Sequence, residues 1–166
     1  MKEICTDLYY EDIEIGDTII TAKRTITEFA ITEFDVMQFS GLTGDYSEIH
    51  TSLAHTLVST FDERVVHELL LLSIANGLYA CLSYFNKADL VLLALNNWRF
   101  ICPVGIGDTV FLKIILTDKS HDSKPGCGIF EWQYELYYGN HELCAQGKVI
   151  RLIKCKDVAR TKTLSD

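Results

Sequence analysis

One run dominates what this chain can become: "VVHELLLLSIANGLYACLSYF", residues 65–85. It is long enough to cross a bilayer. It carries His67, Glu68 and Asn76, however, and has no basic cluster beside it. A helix over 66–85, buried in a protein core, is the reading that fits. Such a helix has too few polar positions for a solvent-facing stripe, so a sheet must enclose it. The chain supplies one. Segments 90–104, 108–120, 127–139 and 141–155 are strand-like, separated by the turns "GIGD", "SKPG" and "GNHE". The third alternates cleanly: Trp132, Tyr134, Leu136 and Tyr138 share one face, and Glu131, Gln133 and Glu135 the other.

The front of the chain is different. "DTIITAKRTIT" (17–27) is β-branched and reads as a strand. Residues 30–41 read as a helix carrying Ile31, Phe34, Met37 and Phe39, ended by Gly41 and Gly44. Residues 51–63 read as a short helix and a loop. A near-duplication, "TEFAI" (27–31) then "TEFDV" (32–36), lengthens the connection before the helix. One strand, a helical region, a long apolar helix and four strands predict an α+β fold, its antiparallel sheet wrapped around that helix. Residues 1–156 are expected to form one domain, with a polar tail over 157–166.

Composition narrows the function. The 166 residues carry a net charge of −8. An acidic chain is a poor general binder of nucleic acid, which needs Lys and Arg against phosphate. The acids crowd the front: residues 1–50 hold eleven against three bases. Residues 148–162 reverse this, with Lys148, Arg151, Lys154, Lys156, Arg160 and Lys162 against Asp157. The plain reading is a solvated last strand and tail; the sharper one is a docking patch for an anion. The six cysteines (5, 81, 102, 127, 144, 155) form no CxxC pair, and the N-terminus lacks a signal-like apolar run. Reduced thiols in the cytoplasm are expected.

Several familiar motifs fail. "HELLL" (67–71) begins like a zinc-protease motif, but position 71 is Leu71, so the second ligand is missing. "GIGDTV" (105–110) ends in Val110 where a dinucleotide loop needs glycine. No metal and no cofactor are expected. What remains is "GLTGDYSEIH" (41–50), with Asp45 and His50 five residues apart. A carboxylate and an imidazole can hold one water between them, and the imidazole can move a proton near neutral pH. On spacing alone this is an ordinary turn. The start of the apolar helix adds free N–H groups and a positive dipole end, which a developing oxyanion needs. His67 at that start reads as a structural or capping residue.

Four segments then match one family in order. "YYEDIEIGDTI", "FSGLTGDYSEIH", "FDERVVHELLLLS" and "WRFICPVGIGDTV" resemble the opening F-x-D-L-x-V-G-D, the loop F-x-x-L-T-G-D-x-N-P-x-H, the segment F-x-x-x-I-V-H-G-M-L-x-x-S and the segment F-x-x-P-V-x-x-G-D-x-V of MaoC-like enoyl-thioester hydratases and dehydratases. The resemblance implies a hotdog fold and an (R)-specific hydro-lyase acting on acyl-CoA or acyl-carrier-protein thioesters. It implies that Asp45 and His50 activate water, and that the Glu68 backbone N–H receives the oxyanion. Ser47 and Asn76 are further candidates at the substrate or the loop that holds it, and Ser73 is a neighbour expected to bond back to its own backbone. A homodimer is expected, because a single hotdog leaves a sheet edge open; no membrane partner is.

The chain departs from that pattern. Ser47-Glu48 replaces Asn-Pro, and Glu68 replaces a glycine. A second reading follows: a non-catalytic acyl-binding subunit, or a protein of altered chemistry such as a thioesterase.

Overall fold

The structure is a computed structural model of the chain. It describes residues 7–21, 24–25, 33–56, 58, 60–61, 63–82, 84–139 and 141–156. The first half of the near-duplication and the tail over 157–166 lie outside these.

After a 3₁₀ turn at Tyr10–Asp12 come β1 (Thr18–Ile20), β2 (Arg24–Thr25), α1 (Glu33–Thr43), α2 (Glu48–Thr51), α3 (Leu53–Thr56), α4 (Glu68–Ala80), β3 (Asp89–Phe100), β4 (Thr109–His121), β5 (Cys127–Tyr138) and β6 (Glu142–Lys154). The sheet order is β1-β4-β5-β6-β3, with β2 also on β4, and every pairing is antiparallel. The α+β expectation holds.

The alternation seen in the sequence builds the core. Phe130, Trp132, Tyr134 and Leu136 of β5 are buried, and so are Val110, Leu112, Ile114 and Leu116 of β4. They pack with Leu71, Ile74, Ala75, Leu78 and Tyr79 of α4 in one cluster. Each large apolar side chain buried this way contributes about 1.5–3 kcal/mol. The sheet's concave face and the helix therefore stabilise each other.

Four expectations change in detail. The long helix runs 68–80, not 66–85. Val65 instead bridges to Gly105, and the Val66 N–H donates to the Val104 carbonyl, so extended pairing delays the helix start. The strand expected over 17–27 is two short pieces. In the first helix, Phe34 is 65% exposed and Met37 is exposed too, whereas Val36 and Ser40 face inward. The small hydroxyl is inside because it meets a buried histidine.

The fourth change concerns enclosure. The sheet covers one side of α4 only. Leu69 is 61% exposed, and Glu68, Ser73, Asn76 and Ala80 lie on the same open face. One curved sheet can cover one side of a helix; the other is left as the wall of a groove. Across that groove stands β3, an edge strand broken by three register shifts. Its apolar side chains are exposed on both faces, Leu93 by 48%.

Among the described residues, three bases of the C-terminal stretch are ion-paired, two of them still partly open to solvent. Lys148 pairs with Glu131 at 2.5 Å, Lys156 pairs with Asp12, and Arg151 is 96% buried beside Asp89 at 2.6 Å. Among the described residues, Cys102, Cys127 and Cys144 are free thiols. No helix among the described residues is long and apolar enough to cross a membrane.

Candidate active site

Gly44 turns the chain out of α1. Its N–H donates to the Ser40 carbonyl at 2.7 Å, and its φ of 81° is the left-handed conformation that glycine takes without strain. The turn delivers Asp45, whose Oδ1 accepts from the Ser47 N–H at 3.1 Å and the Ser47 hydroxyl at 2.5 Å. The Ser47 hydroxyl is the main influence on the Asp45 carboxyl and holds it below the usual carboxylate range; the nearby His67 and His50 act in the same direction. Asp45 is exposed and ionised. Ser47, standing where the family pattern has asparagine, therefore anchors this carboxylate directly.

Helix α2 then carries His50 inward, leaving it 5% exposed. His50 Nδ1 lies 2.8 Å from the Val65 carbonyl oxygen. A carbonyl only accepts, so the Nδ1–H donates and Nε2 keeps a free lone pair. That is the nitrogen a general base needs.

His67 completes the group. It occupies the N-cap position of α4, but its side chain makes no capping hydrogen bond. Its ring stacks on His50 with centroids 3.9 Å apart and planes 27° apart. Its Nε2–H donates to the Asp45 carbonyl at 3.1 Å and lies 3.3 Å from the Ser40 hydroxyl. It is 1% exposed, and burial pushes it below the usual histidine value. Of the two sequence readings of His67, structural or capping, its side chain takes the structural one: it ties α1, the Asp45 loop and His50 together. A lone histidine beside an apolar run gives no signal for this.

The ligand-capable atoms of Asp45, His50 and His67 lie within 4.8 Å of one another. Stacked imidazoles send their in-plane lone pairs side by side rather than converging on one ion. The arrangement suits a shared water better than a divalent cation.

Beside the group opens a cleft of about 210 Å³, walled by Ile49, Phe61, Val65, Glu68, Leu71 and Phe100 among others. Asp45 and His50 are not on its wall; Ile49, next to His50 in the chain, and Val65, its hydrogen-bond partner, are. The Glu68 N–H opens α4, and among the described residues it has no hydrogen-bond partner. A free N–H at a helix start, near a free imidazole nitrogen and an ionised carboxylate, can polarise a carbonyl while water is activated.

The structure thus brings together Asp45, His50 and Ser47, with Glu68 at the neighbouring cleft. Asn76 is placed elsewhere. Its Oδ1 accepts from Arg151 on β6, not from the loop that carries Asp45. The Ser73 hydroxyl donates back to the Leu69 carbonyl at 2.8 Å, as expected. Arg151 was read from the sequence only as one of the basic C-terminal stretch, not as a buried partner of Asn76. Its signal was an arginine at an inward position of β6, between the buried Val149 and Ile153.

A family model described as MaoC like domain matches residues 14–130, and the chain belongs to that family. Protein MaoC of Klebsiella aerogenes is 34% identical over 112 residues, 68% of this chain and 31% of that protein. A 3-hydroxybutyryl-CoA dehydratase of Methylorubrum extorquens is 32% identical over 107 residues, 64% of this chain and 62% of the other. This chain thus spans less than two thirds of either. An (R)-specific enoyl-CoA hydratase of Rhodospirillum rubrum is 28% identical over 109 residues, 66% of this chain and 69% of the other. The solved structure of a monoamine oxidase regulatory protein from Archaeoglobus fulgius superposes with a TM-score of 0.79 at 27% identity, covering 91% of this chain and 97% of that one. The fold is the hotdog, a sheet wrapped around one long helix.

Proposed function

We propose that this protein adds water reversibly across the double bond of a 2-enoyl thioester, giving the (R)-3-hydroxyacyl thioester. The carrying observation is the free Nε2 of buried His50 within reach of the ionised Asp45. Asp45 accepts a hydrogen bond from one hydrogen of the water, which stays on the oxygen, and His50 takes the other as a proton while the oxygen bonds to C3. The electron pair of the C2–C3 double bond moves to C2, its charge spreading onto the thioester oxygen, where the Glu68 N–H stabilises it. The proton returns to C2, so the sum is one added water. Dehydration is the same path reversed. The (R) outcome rests on the named relatives, as does the acyl-CoA substrate; a carrier-protein thioester presents the same reacting atoms.

The test is loss of enoyl absorbance with crotonyl-CoA and longer enoyl-CoAs, with chiral analysis of the product. Hydration to the (R) product is expected. Release of free thiol instead of water addition would convert the reading to hydrolysis. Binding without turnover would favour the acyl-binding subunit, a reading that the Glu68 carboxylate at the cleft favours over hydrolysis.

We place the protein in the cytoplasm, where its thiols stay reduced. We also propose a homodimer joined along β3, because its open edge and exposed Leu90, Val91, Leu92 and Leu93 invite pairing with a second copy. Sedimentation as a monomer at micromolar concentration would contradict this.

A further inference from the structure

The cleft at the start of α4 has an apolar wall broken by one charged side chain. Leu71, Phe100 and Val104 stand on that wall, and so does Glu68. Glu68 is exposed, and its carboxylate has no ion-pair or hydrogen-bond partner among the described residues. An acid in the first turn of a helix meets the positive end of the dipole. That accounts for a charge at this position. It leaves the acceptor capacity of the carboxylate unused on the wall of the cleft.

What reaches this wall follows from the chemistry of the site. Asp45 and His50, which hold the water, are off the wall, whereas Glu68, whose N–H receives the thioester oxygen, is on it. The reacting C3 therefore lies outside the cleft, and C1 lies at its mouth. The acyl chain leaves from C3. The group that continues from C1 along the wall is the sulfur with its arm. In coenzyme A and in a carrier protein alike this arm is pantetheine, whose first amide N–H stands two carbons beyond the sulfur. The sulfur and the two methylenes suit an apolar wall. The N–H does not, because a buried donor without a partner is costly. The Glu68 carboxylate is the charged acceptor on that wall. An N–H dipole on it also offsets part of the charge it would set against the developing oxyanion.

We infer that Glu68 binds the arm of the thioester: its carboxylate accepts a hydrogen bond from the first amide N–H of pantetheine while its backbone N–H donates to the thioester oxygen. This rests on the reading of the site as acting on acyl thioesters. One residue then holds the substrate on both sides of the sulfur. The contact is blind to the acyl group and requires an amide in the arm. A hydrogen bond to a charged acceptor is stronger than one between neutral groups, so losing it is measurable.

The test removes that N–H alone. S-Crotonyl-N-acetylcysteamine carries the amide, and the 2-acetoxyethyl thioester of crotonic acid puts an ester oxygen in place of the N–H. The parent is expected to hydrate the amide form with a kcat/KM higher by about tenfold or more, mainly through KM. Glu68→Met keeps the backbone N–H and loses the acceptor. It is expected to bring that ratio to about one, with Glu68→Gln, a neutral acceptor, in between. Calorimetry with butyryl-CoA reads the contact without turnover, and Glu68→Met is expected to bind it about tenfold more weakly. Removing an acid that faces a polyanion would by itself tighten binding, so this loss runs against the charge. The same loss is expected with whichever of crotonyl-CoA and a crotonyl carrier protein the parent hydrates at the higher kcat/KM, and that comparison identifies the bearer of the arm. Equal hydration of the two small thioesters by the parent, or an unchanged preference in Glu68→Met, would overturn the inference and leave the hydratase reading standing. No hydration of any thioester, with butyryl-CoA still bound more tightly by the parent than by Glu68→Met, would support the arm contact and overturn hydration. No hydration and equal binding would overturn both.

Discussion

Replacing Arg151 by methionine removes a buried cation and strands what it served. Arg151 is 4% exposed, and it is ion-paired to Asp89, hydrogen-bonded to Tyr134 and Asn76, and stacked against Tyr79. Methionine fills much of the volume, so the loss is electrostatic rather than a cavity. Breaking a buried pair from one side costs about 3–5 kcal/mol, because the other charge stays buried. Against a total of about 5–15 kcal/mol this is large. For a chain of this size it corresponds to a fall in Tm of about 6–20 °C. Burial already pushes the Asp89 carboxyl up, with Arg151 pulling it back down. Without Arg151 the folded value rises further above the unfolded one. The folded state then binds the proton more tightly, so the deficit is expected to shrink as pH falls toward the carboxylate range. Asp89→Leu combined with Arg151→Met removes both charges and is expected to lie within about 1–2 kcal/mol of the parent. Urea unfolding of the three variants at one protomer concentration measures this. A single substitution costing less than about 1 kcal/mol, or a double variant no better than Arg151→Met, would refute the reasoning.

Ser47→Ala is expected to raise the Asp45 carboxyl toward its ordinary value, since the Ser47 hydroxyl is the main group favouring the ionised form; carbon-detected NMR titration reads it, and an unchanged titration would count against the Ser47 contact. His67 links pH to stability. Its folded value is depressed by burial, and an unfolded histidine titrates near about 6.5. As pH falls below that, the unfolded chain takes a proton that the folded chain resists, so stability drops and then levels off below the folded value. Urea midpoints of the parent are expected to fall across this window more steeply than those of His67→Gln, and parallel curves would contradict it.

Much of the fold was legible because it rests on periodicity. Trp132, Tyr134 and Leu136 alternate with Glu131, Gln133 and Glu135, and nothing but a one-sided strand uses that pattern well. The apolar run announced α4, but not that one face would stay open. That depends on how far a single sheet can wrap, which no local pattern records. Asp45 and His50 were legible through their loop and their place before the helix. His67 and Arg151 were not. Their partners are 22 and 62 residues away, and sequence spacing has no access to contacts made only by tertiary packing. Asn76 was noticed for its polarity in an apolar helix, and the structure gives the reason: it faces Arg151.

The central claim is that Asp45 and His50 together hold one water while His50 takes its proton. Its most direct measurement is kcat for enoyl-CoA hydration by Asp45→Asn and His50→Gln, with circular dichroism confirming that each stays folded. Each is expected to lose about 10²–10⁴-fold, the range that a positioned acid or base contributes. Activity within about tenfold of the parent in either folded variant would contradict it.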